Sequence, residues 1–308
     1  MDSKEAISKF KENIEDNSHY IMSGDMEITS NEELYKYSVN VSYLEGDYYK
    51  ASLTNKDTNY EQIILKNESG VYVITPSLNK SFKYQSEWPF NSSQAYILAS
   101  LLTDLENDSN VVFEEKEDAY ILQSTVNYPN NSSLTSQKIT FNKEMEPRLV
   151  EVFNKEGIAN IVFKVATIDY DTSVSKEDFD ISTTTCSDCS SSEVSDLEET
   201  VYPMYLPVGT KFKGEETIST DNSKRVILTF DGDKSFTLIE EVSLLPSEFE
   251  ITSTSGELVF YENVLGNLTE SSLNWSMNGK DYYLISEDLS NEELLKVAAS
   301  TSVVSVTK

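Results

Sequence analysis

The sequence predicts an α+β protein of two domains, and three observations carry that prediction. Apolar residues recur with a period of two over most of the chain, and helical spacing is confined to short segments set among those strands. A Ser/Thr-rich, acidic stretch, STTTCSDCSSSEVSDLEET, then separates a longer first part from a shorter second one. A length of 308 residues exceeds one comfortable core, which agrees with a first domain at 1–181, a linker at 182–200 and a second domain at 201–308. With 38% hydrophobic and 11% aromatic residues, both cores can be filled.

Taken in order, residues 4–16 place Ala6, Ile7, Phe10 and Ile14 at helical spacing, with Ser3 as the expected cap. The period then switches to two as far as about residue 85, with turn signals at Glu45-Gly46-Asp47, Asn67-Glu68-Ser69-Gly70 and Pro76-Ser77-Leu78-Asn79. One face buried and one wet is the reading of such an antiparallel meander. A second helix is expected at residues 93–106, capped by Ser92 or Ser93 and carrying a broad apolar face from Ala95 to Leu105. Strands resume from VVFEE to ANIVFKVATIDYD, so a curved antiparallel half-barrel wrapping the helices is the natural arrangement. In the second domain, RVILTF and SFTLIEEV flank a tight Asp231-Gly232-Asp233 turn, and Asn278-Gly279 signals a two-residue hairpin. Ser290 with Glu293 forms a capping box for a last helix, which makes this a small α+β domain.

Charge narrows the function classes. With 24 Lys+Arg against 53 Asp+Glu the formal charge is −29, a field that repels phosphate backbones and excludes nucleic acid as the expected partner. No apolar run reaches the roughly 18 residues of a membrane helix, and Met1-Asp2-Ser3-Lys4-Glu5 has no apolar signal region. That start fits either a cytoplasmic chain or a mature chain whose signal has been removed.

The residues for catalysis are scarce. His19 is the sole histidine, and nothing in the sequence sets a nucleophile or an orienting acid beside it. One His and two Cys do not make a standard zinc site, no glycine loop cradles phosphate, and the scattered acids form no defined pair. The expectation is no enzyme, no metal and no cofactor. Cys186 and Cys189, in a Ser/Thr-rich acidic setting, read as an exposed disulfide in preference to a redox or metal pair.

The most unusual stretch is KSFKYQSEWPFNSSQAYILASLL, which sets four aromatics directly before the apolar helix. Two readings stand: ordinary core that plugs the open side of the sheet, or an apolar groove between sheet and helix. The groove candidates are Tyr72, Phe82, Tyr84, Trp88, Phe90, Tyr96, Leu98 and Leu102.

The run from Gly70 to Pro76, Trp88-Pro89 and the helix that follows resemble the LolA-like lipoprotein fold as it occurs in GerS-like sporulation and germination lipoproteins of spore-forming Gram-positive bacteria. Residues 202–300, with Tyr205-Leu206-Pro207, Leu273-Asn274-Trp275 and Leu289–Ala299, resemble the small domain that follows in such lipoproteins. The resemblance implies an extracytoplasmic protein held at the membrane by an N-terminal lipid anchor outside the present sequence. It also implies a partner in envelope or spore assembly, such as a cell-wall amidase, or an acyl ligand within the half-barrel. The Arg-Pro pair that carriers of this fold use is replaced here by Gly46-Asp47-Tyr48-Tyr49-Lys50, so the protein-binding reading leads and acyl carriage is the alternative.

Overall fold

The structure, a computed structural model, describes residues 1–30, 33–184, 200–219, 224–244, 246 and 249–303. Cys186 and Cys189 lie outside the described residues. Two compact units are formed: Met1–Ile74 with Ser86–Thr185, and Thr75–Gln85 with Cys186–Lys308.

The chain runs through α1 (Ser3–Glu15), β1 (His19–Ser30), β2 (Glu33–Leu44), β3 (Tyr48–Asn55), β4 (Glu61–Asn67), β5 (Gly70–Thr75) and β6 (Lys80–Tyr84). It continues with α2 (Leu98–Asn107), β7 (Val112–Glu115), β8 (Tyr120–Thr125), β9 (Leu134–Phe141), β10 (Pro147–Asn154), β11 (Ala159–Asp169) and the short α3 (Ile181–Thr184).

In the first unit the strands lie in the order β5-β4-β3-β2-β1-β11-β10-β9-β8-β7, every pair antiparallel, and the order does not close on itself. β1 alternates strictly, burying Tyr20, Met22, Met26 and Ile28 on one face. Cross-strand register carries this inner face to Val39 and Val41 on β2, Ala51 and Leu53 on β3, and Phe163 on β11. The helices cover it. Phe10 of α1 meets Phe141 edge-on at 4.9 Å, and Leu98, Leu101 and Leu105 of α2 are buried. Each such side chain taken out of water contributes about 1.5–3 kcal/mol. The fold is therefore the expected α+β one, an open sheet wrapping helices.

Two caps differ from expectation. Asp2, not Ser3, caps α1 by accepting from the Glu5 N–H at 2.9 Å. α2 begins at Leu98 and not near residue 93, because the Ser93 hydroxyl is engaged elsewhere: it donates to Asp104 at 2.9 Å and accepts from the Asn127 N–H at 2.7 Å.

β1 needs glycine at one point. The register with β11 shifts between Ser23 and Gly24, and a Cβ on Gly24 would lie 2.4 Å from the Lys164 carbonyl oxygen and 2.7 Å from the Phe163 ring. Gly24→Ala is expected to destabilise the first unit by about 2 kcal/mol. An unshifted urea midpoint would show that the strand yields without cost.

The second unit continues with β12 (Val201–Pro203), β13 (Thr210–Ser219), β14 (Lys224–Gly232), β15 (Phe236–Val242), β16 (Glu250–Ser253), β17 (Glu257–Tyr261), β18 (Val264–Leu268), β19 (Ser272–Met277), β20 (Lys280–Ile285), α4 (Asn291–Ala299) and β21 (Thr301–Val303). Its antiparallel sheet has the order β13-β14-β15-β20-β19-β18-β17. Asn278 and Gly279 both take positive φ, 52° and 79°, which is what the two-residue hairpin between β19 and β20 requires. Ser290 and Glu293 form the expected capping box, and α4 packs Leu294, Leu295, Val297 and Ala298 into a core with Leu228, Phe230, Trp275 and Tyr282. β6 belongs to this unit and pairs in parallel with β16.

Candidate functional site

One end of the inner face of the first unit is lined by aromatic side chains. Cross-strand register aligns Tyr20 on β1 with Tyr43 on β2, Tyr49 on β3 and Lys66 on β4. Tyr20 stacks on Tyr43 at 5.1 Å between ring centroids, and Tyr43 meets Tyr49 at 5.0 Å. Tyr49 then takes two rings edge-on, Trp88 at 6.2 Å and Phe90 at 6.1 Å. Lys66 stands 5.3 Å over the Phe90 ring while bonding Asp47 at 2.7 Å. Phe90 is 43% exposed, whereas Trp88 and Tyr96 are 3% and 2% exposed.

The polar atoms of this cluster are poorly matched. The Tyr20 hydroxyl, Tyr96 hydroxyl and Trp88 indole N–H are buried without a hydrogen-bond partner. A group of this kind costs about 1–3 kcal/mol. The Leu98 backbone N–H acts on the Tyr20 hydroxyl, and the Trp88 indole on that of Tyr96, each as a donor that falls short of an ordinary hydrogen bond. Burial pushes the Tyr20, Tyr49 and Tyr96 phenols well above their ordinary range, and Tyr43 upward to a lesser degree. These phenols stay neutral at physiological pH, so they act through hydrogen bonds and ring faces.

A second buried polar group lies on α2. Asp104 accepts from Ser93 and from the Gln137 side-chain amide at 3.1 Å, and Gln137 also donates to Ser124 at 3.1 Å. Burial lifts the Asp104 carboxyl to about 6, against the pull of those two donors. Burial likewise pushes the nearby Tyr128 phenol upward, and the Asp104 charge adds to that rise.

The predicted groove residues are not all brought together. Trp88, Phe90, Tyr96 and Leu98 fall at the aromatic end just described, and Leu102 is half-buried on α2. Tyr72 pairs with Leu65, which pairs with Lys50 and so with Ser42 and Ile21, placing it on the sheet face opposite Tyr49 and Trp88. Phe82 and Tyr84 lie on β6 in the second unit, Phe82 half-buried and Tyr84 buried with its phenol pushed up by burial. Tyr20, Tyr43, Tyr49, Lys66 and Asp104 escaped the sequence reading. Only register shows that three tyrosines from three strands adjoin. His19 sits half-buried with Nδ1 3.1 Å from the Ser18 hydroxyl. Among the described residues no three His, Cys, Asp or Glu side chains are grouped to hold a metal ion.

No protein-family model matches the chain. It is 36% identical over 302 residues to the sporulation protein YdcC of Bacillus subtilis, covering 96% of this chain and 89% of that protein. Among solved structures it is similar to MucB, at 12% identity and a TM-score of 0.37 over 98% of each chain. It is also similar to a chain in the structure of the CwlD amidase from Clostridioides difficile in complex with the GerS lipoprotein, at 16% identity and a TM-score of 0.25 over 56% of this chain and 95% of that one. Similarity of this extent to the Bacillus protein settles the family on sequence, in keeping with the sporulation resemblance already read from the residues: the chain belongs to the sporulation-protein family of YdcC.

Proposed function

We propose that the protein is a non-enzymatic scaffold of the sporulating cell's envelope, lipid-anchored on the extracytoplasmic side, that binds a protein partner in envelope or cortex assembly. One observation carries the protein-binding part. The inner face is plugged by the chain's own Trp88, Tyr96 and Leu98, all 3% exposed or less, while Phe90 stays 43% exposed beside Lys66. An exposed aromatic next to a cation is a common anchor in protein interfaces, whereas a carrier needs its groove free. The residue counts support a non-catalytic role, with a single histidine and two cysteines. The sporulation relative supports the setting. No helix among the described residues is long and apolar enough to cross a membrane.

The test is a photocrosslinking amino acid at position 90, with position 156 in an exposed turn as control, in sporulating cells of the source organism. One discrete envelope-protein adduct from position 90 alone is the expected result. No adduct, together with a retained acyl mass in native mass spectrometry of the purified chain, would replace the scaffold reading with carriage of a hydrophobic ligand.

A further inference from the structure

We propose that the free edge of β13 is a docking site for an extended, basic segment of a partner protein, which joins the sheet of the second unit as a further strand. The site lies apart from Phe90, and neither reading depends on the other.

β13 ends the seven-stranded sheet and, among the described residues, pairs with β14 alone. Eight of its ten residues are exposed, and the other two, Thr210 and Gly214, are half-buried. The strand at the opposite end, β17, is half as long, and its Leu258, Val259 and Tyr261 are buried. Long edges are ordinarily guarded by lysine, proline or a bulge. The guards of β13 stand in its first half: Lys211, Lys213 and the register shift between Phe212 and Gly214. From Gly214 to Ser219 the strand has none of these. About half of the backbone N–H and C=O groups there turn away from β14, as on any antiparallel edge. Gly214 also leaves room for an incoming chain, since a Cβ there would meet nothing within 4 Å. An apolar side chain flanks this stretch on either side, Phe212 at 48% and Ile218 at 43% exposure.

Charge selects the occupant. Glu215 and Glu216 sit in the middle of the open stretch, one on each face. Glu215 pairs with Leu228 of the core, so Gly214, Glu216 and Ile218 share the face turned away from that core. The nearby cations are already engaged, Arg225 by Glu241 and Lys213 by Asp231 at 3.0 Å. A second copy would set the same two glutamates, and another charge of −29, against the first. A basic strand meets complementary charge, while its backbone supplies the sheet hydrogen bonds.

The test uses the full chain labelled with ¹⁵N-glycine, whose ten glycines give a sparse spectrum. Gly214→Ala, which the open space allows, assigns the Gly214 resonance. Titration with acetyl-Thr-Lys-Val-Lys-Val-Thr-amide is expected to move that resonance saturably and to leave most of the others in place. The same peptide N-methylated on its two central amides, which removes a donor from each of its edges, should bind at least tenfold more weakly. Replacing its lysines by glutamate should have an effect at least as large. Glu216→Lys, at an exposed position, should weaken the basic peptide at least fivefold with an unchanged urea midpoint. A Gly214 resonance that stays still, or that moves only with all the others, would overturn the proposal. So would equal binding of the N-methylated or the acidic peptide, or undiminished binding to Glu216→Lys. A Gly214 shift that follows protein concentration without peptide, with a dimer in sedimentation, would give the edge to a second copy and overturn it too.

Discussion

Lys80→Met is expected to destabilise the second unit by about 3–5 kcal/mol, the cost of leaving a buried carboxylate without its cation. Lys80 Nζ bonds Asp281 Oδ2 at 2.7 Å, with the two side chains only 19% and 11% exposed. Ser276 donates to the other oxygen of Asp281 at 2.5 Å, so the carboxylate retains one partner when the lysine is removed. The pair spans 201 positions of sequence, and it accompanies the parallel pairing of β6 with β16. Asp281→Asn should cost less, because the Lys80 ammonium keeps some access to water and the amide oxygen still accepts from it. The double variant Lys80→Met/Asp281→Leu should recover most of the loss, since a buried ion pair replaced by apolar groups of similar size is often close to neutral. Trp275 is buried in this unit and reports on it in a Trp88→Phe background. Equal urea midpoints for Lys80→Met and its parent would show that the pair is solvated and contributes little.

That ion pair marks where the sequence stopped being informative. Residues 75–85 carry the same alternation as the strands before them, and their turn signals are correctly read, with Asn79 at a φ of 50°. Nothing in their composition says that they group with a unit beginning more than a hundred residues later. Alternation tells which residues share a face within one strand, and the buried rows of β1 and β14 follow it. It does not tell which face of one strand continues that of the next, and on this point Tyr72 parted from Trp88. The hairpin at Asn278-Gly279 and the capping box at Ser290 were legible because each depends on residues two or three apart. Ser93 shows the limit of the same rule. It has the residue type and position of a cap, but its hydroxyl is bonded by Asp104, eleven residues on, and by the Asn127 backbone. A polar residue in LLTDLEN reads as solvent-facing until the sheet that covers it is known.

Asp104 is also where the pH dependence of stability should be clearest. Its carboxyl lies at about 6 in the folded chain, against 3.8 for the free group. A folded-state value raised above the unfolded one favours folding when the group is protonated. The contribution of Asp104 is thus most favourable below about pH 4 and is lost as pH rises through about 6. Roughly two units at about 1.4 kcal/mol each give a swing on the order of 3 kcal/mol between pH 4 and pH 7.5. Asp104→Asn should abolish it without breaking the network. The new amide oxygen accepts from Ser93, its NH₂ donates to Gln137 once that amide turns over, and the Ser124 hydroxyl donates to the turned Gln137 oxygen. At pH 4 the variant and parent should be equally stable, and at pH 7.5 the variant should be the more stable by on the order of 3 kcal/mol. The difference between the two proteins is the quantity to follow, because half-buried carboxyls held low by hydrogen bonds, such as Asp108 and Asp169, drive total stability the other way with pH. Urea midpoints at pH 4, 6 and 7.5 measure it. A difference that stays constant across the three would place the Asp104 titration outside this range and remove the buried carboxyl as a source of pH dependence.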